Sequence, residues 1–368
     1  MIAKNETRVR LLIITSSLEC GGSEKFVSLV CNYIDTDKFV VCLVVVNNTQ
    51  PFYEIKNAAI EIVDLKKDRV LFSISAIKMA IKIFKPGIIF STANHLNLYL
   101  AIFKNQFDAK IKFIAREASI VSINSRQAKM PALYSWLIKK YYNRFDSIIC
   151  QSAYMQQDLI RNYQKSADKT VVIHNATLDV STNKILPKVK NGKTEYKFIT
   201  IARLSEEKGI ERLIHAVGLL TIPFNYYIIG EGNKRGELQK LIDDLQLQDK
   251  VFLAGQKSEP FNGMEDADLF LMGSYYEGFP NVLLEAGAHG MPVVAFNVPG
   301  GIAEIITANE NGILVDDNDL IAFASAINKA ITTDFDRDKI IETTKKRFSV
   351  TSMMHALDNI FLNPSQNK

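Results

Sequence analysis

The chain has 368 residues, 47% hydrophobic and 23% charged, ordinary globular values that exclude collagen-like, disordered and disulfide-scaffold classes. At ~100–200 residues per domain, the length predicts two domains. The net charge of +4 is too small to mark a nucleic-acid binder, and it cancels two unlike halves, +9 over residues 1–180 (24 basic, 15 acidic) and −5 over residues 181–368 (20 basic, 25 acidic).

Strand and helix patterns alternate along the chain. Arg10–Thr15 predicts a first strand, whose apolar run is too short for a leader peptide. Gly21–Tyr33 predicts a helix, and Phe39–Val46 and Ile60–Leu65 predict strands. Val70–Phe84 has apolar residues at helical spacing, and Pro86 follows it. Strands are then expected at Ile88–Phe90, Ile111–Ile114, Ser147–Gln151 and Val171–His174. Helices are expected at Leu96–Phe103, Ala132–Tyr142 and Ala153–Tyr163. Residues 181–196 are polar and lysine-rich and read as a linker. A second series follows, with strands at Phe198–Ala202, Tyr226–Ile229, Val251–Ala254, Leu269–Met272, Pro292–Ala295 and Ile313–Val315. Helices are expected between them, and two more, Arg337–Arg347 and Thr351–Phe361, close the chain. Repeated βα units predict an α/β protein of two doubly wound parallel sheets, at residues 1–180 and 197–345, with a terminal helical segment at 346–368. No apolar run approaches the ~18–20 residues of a spanning helix. Cys20, Cys31, Cys42 and Cys150 form no C-x-x-C pair, which fits reduced thiols in the cytoplasm.

In doubly wound sheets, ligands sit beyond the carboxyl ends of the strands, so the loops there are the places to look for chemistry. After the first strand, Gly21-Gly22 opens a helix, and backbone N–H groups at such an end attract an anion. An ordinary tight turn has the same sequence. After the first strand of the second domain, Arg203 and Lys208 share one loop. A guanidinium fork and an ammonium suit a diphosphate, although either alone reads as a solvated charge. Gly230-Glu231-Gly232 makes a third strand-to-helix turn. The fourth loop is the most specific: Glu277-Gly278-Phe279-Pro280-Asn281-Val282-Leu283-Leu284-Glu285 places two glutamates eight apart. Glu285 falls on a largely apolar helix face. A carboxylate there needs donors, which a ribose diol or a core donor can supply. His95, in the loop after Ile88–Phe90, is the one histidine that the first domain places at its candidate site. D-x-D recurs five times and so marks no metal site. No H-E-x-x-H or G-x-S-x-G is present, which removes metalloprotease and serine-hydrolase readings.

These residues, in this order, resemble glycosyltransferase family 4. The match is dense from Phe198 to Val315, where Glu277 and Glu285 match the family's E-x7-E signature, and looser through Gly21-Gly22-Ser23-Glu24-Lys25, Cys150-Gln151-Ser152 and Val172-Ile173-His174-Asn175. The resemblance implies the GT-B fold, in which two Rossmann-like domains face each other across a cleft and the last helix crosses back to the first domain. It implies retaining, metal-independent transfer from a nucleotide-diphosphate sugar, a UDP-sugar, with no other cofactor. Arg203 and Lys208 would neutralise the leaving diphosphate, helped by the amides of Gly21 and Gly22. Glu285 would accept the ribose hydroxyls. Glu277 and the backbone of Gly278, Phe279, Pro280, Asn281 and Val282, together with Gly230, would hold the donor. His95 matches a family histidine in its loop position alone. The acceptor implied is a lipid-linked or polysaccharide glycan of the bacterial cell surface. A nucleotide-sugar epimerase or hydrolase, or an inactive nucleotide-sugar-binding subunit, is the alternative.

Residues Ser122–Phe145 mix five basic side chains with Tyr134, Trp136, Tyr141 and Tyr142, and Val70–Lys85 adds Lys78, Lys82 and Lys85. Basic helices with aromatics suit an anionic membrane surface, so a peripheral position on the inner face of the cytoplasmic membrane is expected. Solvated helix faces over core aromatics would read alike.

Overall fold

The computed structural model describes residues 8–178 and 194–363. Most of the expected linker at 181–196 lies outside the described residues. The chain divides into two compact units, with divisions after Ala176 and after Ser349. The first unit takes the chain up to Ala176 and from Val350 onward; the second takes what lies between.

The first unit holds seven strands: β1 Val9–Thr15, β2 Phe39–Val45, β3 Glu61–Asp64, β4 Ile88–Ser91, β5 Lys112–Arg116, β6 Ser147–Cys150 and β7 Thr170–Val172. All pairings are parallel, in the order β3-β2-β1-β4-β5-β6-β7. The second unit holds six: β8 Tyr196–Ile201, β9 Phe224–Ile229, β10 Val251–Gly255, β11 Leu269–Met272, β12 Val293–Asn297 and β13 Gly312–Asp316. These are also parallel, ordered β10-β9-β8-β11-β12-β13. Central strands such as Leu11–Thr15 and Leu269–Met272 are buried throughout, as expected where helices cover both faces of a sheet. Both sheets reverse their winding beside the first strand of the unit, between β1 and β4 and between β8 and β11. Loops leaving neighbouring strands diverge at such a point and leave room for a ligand. The expected α/β, doubly wound architecture is found in both units.

Helix Val350–Leu362 packs on the first unit. Val350, Met353, Met354, Leu357, Ile360 and Phe361 are its buried face, at three- and four-residue spacing. Phe361 meets Phe39 and Phe90 edge-on at 5.9 and 5.3 Å, and Lys38 pairs with Asp358 at 3.0 Å.

Two local expectations need correction. The helix expected over Val70–Phe84 breaks at Ser73 into a 3-10 turn, Val70–Phe72, and a helix, Ile74–Phe84. The buried Ser73 hydroxyl and amide both bond the Val70 carbonyl, at 2.6 and 3.0 Å, and close the tighter turn. Leu71 is therefore two-thirds exposed instead of buried. Helix Val121–Gln127 has no counterpart in the sequence reading, because its mixed polar segment shows no helical apolar period.

Candidate active site

The second unit gathers its candidate residues at the carboxyl ends of β8, β9, β11 and β12. β8 ends at Ile201, the chain turns through the 3-10 segment Glu206–Lys208, and Gly209, left-handed at φ +54, leads into helix Ile210–Gly218. Lys208 closes this turn, and its Nζ donates to Glu277 Oε1 at 2.7 Å. The Ser274 hydroxyl donates to the same oxygen at 2.7 Å. Glu277 is 12% exposed and Lys208 24%, so the pair is partly shielded and its attraction exceeds that of an open surface pair. No hydrogen bond from a described residue reaches Glu277 Oε2, and the ammonium keeps two N–H groups for a further acceptor. Arg203 is exposed on the same loop. Burial acts to raise the pKa of its neighbour Glu207. The Ser205 hydroxyl, donating at 2.6 Å, and the charges of Lys208 and Arg203 outweigh this and hold that carboxyl below its ordinary range.

Backbone contacts lock the loops after β11 and β12 together. Glu277 N donates to Pro299 O and Gly301 N to Gly278 O, both at 3.0 Å. Gly300 sits between them at φ +125, where a Cβ would run into the Glu277 carbonyl. The Phe279 ring is buried edge-on to Phe348 at 5.6 Å, and Gly278 and Pro280 on either side of it are buried too. Asn281 and Val282 open helix Asn281–Ala288, and Glu285 lies half-buried in its second turn. Gly230, at φ +150, abuts the Ala202 carbonyl, where a Cβ would clash. Leu204 N donates to Glu231 O at 2.9 Å and Lys234 N to Leu204 O at 3.0 Å. This turn braces the Arg203 loop, which accounts for its glycine without a ligand.

The remaining candidates belong to the first unit. Gly21 is the N-cap of helix Gly22–Tyr33, and Gly22 is exposed. The Ser23 hydroxyl donates to Thr92 O at 2.7 Å, tying the loops after β1 and β4 across the switch point. His95 is exposed in the first turn of helix Asn94–Phe103, its ring 6.0 Å from that of Tyr134.

Beneath these loops lies a polar cluster that the sequence reading missed. Arg116 and Glu117, at the end of β5, are fully buried. Arg116 Nη2 donates to Asn175 Oδ1 at 2.6 Å, and its guanidinium stacks on Phe26 at 3.7 Å; its Nε and Nη1 have no hydrogen-bond partner among the described residues. Asn97 Nδ2 donates to Glu117 Oε1 at 2.8 Å. Burial pushes the Glu117 carboxyl up to about 7. Nothing in the local sequence separates Arg116-Glu117 from an exposed charge pair at a strand end.

Comparison with known proteins agrees with this architecture. The model for Glycosyltransferase Family 4 matches residues 20–177, and that for Glycosyl transferases group 1 matches residues 181–347. The N-acetylgalactosamine-N,N'-diacetylbacillosaminyl-diphospho-undecaprenol 4-alpha-N-acetylgalactosaminyltransferase of Campylobacter jejuni is 29% identical over 351 residues, 92% of this chain and 93% of that protein. The lipopolysaccharide core biosynthesis glycosyltransferase LpsE of Rhizobium meliloti is 34% identical over 145 residues, 39% of this chain and 42% of its own. Among solved structures, Anabaena HepE in complex with UDP superposes with a TM-score of 0.80 at 19% identity, over 96% of this chain and 100% of that one. The lipopolysaccharide outer core galactosyltransferase WaaB does so at 0.76 and 18%, over 96% and 99%. With family models on both units and a sugar transferase matched along nearly its whole length, the chain belongs to glycosyltransferase family 4, has the GT-B fold and is a glycosyltransferase.

Proposed function

We propose that this enzyme transfers a sugar, with retention and without a metal, from a UDP-sugar to a lipid-linked or polysaccharide acceptor in bacterial cell-surface glycan synthesis. The observation that carries the donor side is the Lys208–Glu277 pair, 2.7 Å apart at the switch point of the second sheet, with Arg203 on the same loop. Two cations held there meet the charge that develops on a leaving diphosphate. Such preorganised stabilisation is usually the largest catalytic term. Glu277 Oε2 accepts from a sugar hydroxyl, and Glu285 from the ribose. The bond between the anomeric carbon and the phosphate oxygen breaks while the acceptor oxygen bonds the same face. The acceptor's proton passes to the departing diphosphate. Gly21 and Gly22, which open a helix, and His95 lie at the first unit's own switch-point loops. The Campylobacter relative's name specifies a diphospho-undecaprenol acceptor, and the HepE structure holds UDP; both support this choice of substrates.

The inner face of the cytoplasmic membrane is the proposed place of action. No helix among the described residues is long and apolar enough to cross a membrane. One face of the first unit instead exposes apolar and basic side chains together. Leu71, Phe72, Met79 and Ile83 are more than half exposed beside Lys78, Lys82 and Lys85. Leu133 and Trp136 are exposed on helix Pro131–Tyr141 and Met130 at its N-cap, with Lys140 Nζ 4.5 Å from the Trp136 ring. Helix Asn94–Phe103 lies between the two groups: the Tyr99 hydroxyl donates to Leu71 O at 2.7 Å, and His95 meets Tyr134. Tyr142 is fully buried and the Tyr134 hydroxyl is out of solvent, so two of the four aromatics expected at the surface serve the core.

A panel of nucleotide sugars incubated with bacterial lipid extract and read by mass tests the proposal. The expected product is one hexose-type mass increment on a lipid-linked glycan, with release of UDP. Free sugar or an epimer without acceptor would establish the epimerase or hydrolase instead. Nucleotide binding with no turnover would establish an inactive subunit.

A further inference from the structure

Arg212 lies in the first turn of helix Ile210–Gly218 and is 4% exposed. A buried guanidinium is costly unless its donors are met. Here they are met by two segments distant in sequence. Its Nε donates to Gly273 O and its Nη2 to Ser274 O, both in the loop after β11. Its Nη1 donates to Asp317 Oδ1 at 2.6 Å and Asn318 Oδ1 at 3.2 Å, after β13. The rings of Tyr275 and Phe296 lie 4.1 and 4.0 Å from its Cζ. The planar fork is essential to this geometry, because an ammonium cannot reach two carbonyls and a carboxylate between two rings.

These bonds reach the reacting region through one residue. Ser274, gripped at its carbonyl by Arg212, turns its hydroxyl onto Glu277 Oε1, the oxygen that also receives Lys208 Nζ. The same loop is pinned from its other side, Tyr275 N to Glu207 O at 2.9 Å and Tyr275 OH to Glu211 Oε1 at 2.8 Å. We infer that Arg212 is a positioning residue of the donor site, acting through Ser274 to fix the Glu277 carboxylate and, with it, the direction of the Lys208 ammonium. The inference rests on the donor-site reading above. It assigns no substrate contact to Arg212.

Ser274→Ala removes one hydroxyl and leaves the buried guanidinium in place, whereas Arg212→Lys keeps the charge and loses the fork. The ligand-free full-length protein is treated with a lysine-acetylating reagent and mapped by peptide mass, with the exposed Lys240 as internal reference. In Ser274→Ala, and in Arg212→Lys if it folds, Lys208 acetylation relative to Lys240 rises about three- to tenfold as the ammonium leaves its partner. With a nucleotide-sugar substrate, kcat falls about tenfold while KM for the donor stays within about twofold, because the defect lies in transition-state alignment. Unchanged Lys208 acetylation in folded Ser274→Ala overturns the inference, as does a raised KM at unchanged kcat. If the unmodified enzyme turns over no nucleotide sugar, the donor-site reading fails, and the acetylation comparison still decides whether Arg212 and Ser274 position the pair.

Discussion

Lys208 and Glu277 stand 69 residues apart in the chain and 2.7 Å apart in space. Each was legible in the sequence as a charge in a loop beyond a strand, because residue type and loop position are local properties. Their pairing, and the convergence of Ser274 on the same oxygen, depends on how two strands sit side by side in a sheet, which no local pattern encodes. Arg212 was invisible for the same reason, since its helical spacing reads as an ordinary amphipathic arginine. Glu117 shows what such hidden residues do to stability. Burial raises its carboxyl to about 7 from the ordinary 4.5, with Asp158 adding to the shift and Arg116 opposing it. The folded state therefore holds a proton that the unfolded chain has released, and stability falls as pH climbs from about 4.5 to about 7. Urea denaturation of the wild type and of Glu117→Gln checks this. The wild type loses stability across that window relative to the variant, which has no proton to lose there; parallel pH profiles would contradict the assignment.

At the scale of elements, strands were the most readable feature. Runs such as Leu11–Ile14 and Leu269–Met272 are apolar without interruption, which suits only a strand covered on both faces. The terminal helix was readable too, from the spacing of its apolar residues, but the unit it joins was implied by family resemblance alone. The break at Ser73 was hidden, since an apolar period runs through it and the buried hydroxyl that tightens the turn is a tertiary choice. Helix Val350–Leu362 gives a prediction of its own. Phe361 wedges between Phe39 and Phe90, so Phe361→Ala should cost roughly 3–5 kcal/mol, all of it in the first unit. Hydrogen exchange followed by mass spectrometry should show faster exchange in peptides covering β1 and β2 and no change in β8 and β9. Equal loosening of both sheets would contradict that division of the chain.

For the whole molecule, a net charge of +4 conceals a basic first half and a mildly acidic second half. The cations proposed for catalysis, Arg203 and Lys208, lie in the acidic half, so net charge speaks to docking and local loop chemistry to reaction. Exposed Leu71, Phe72, Ile83 and Trp136 with their surrounding lysines should bind vesicles containing anionic lipid, with ~1 kcal/mol from each basic residue near the surface. Replacing Phe72, Ile83 and Trp136 by serine should reduce cosedimentation with such vesicles and leave the melting temperature unchanged; undiminished cosedimentation would contradict this docking face. The central claim, that the second unit's loops form a sugar-donor site, is tested most directly by mass-resolved transfer from a UDP-sugar to lipid-linked acceptor, comparing wild type with Lys208→Ala and Glu285→Ala at saturating acceptor. Loss of a preorganised cation should lower kcat/KM about 10²–10³-fold in Lys208→Ala, and loss of charge-assisted bonds worth roughly 1.5–3 kcal/mol should lower it about tenfold or more in Glu285→Ala. Wild-type rates in both folded variants would contradict the account.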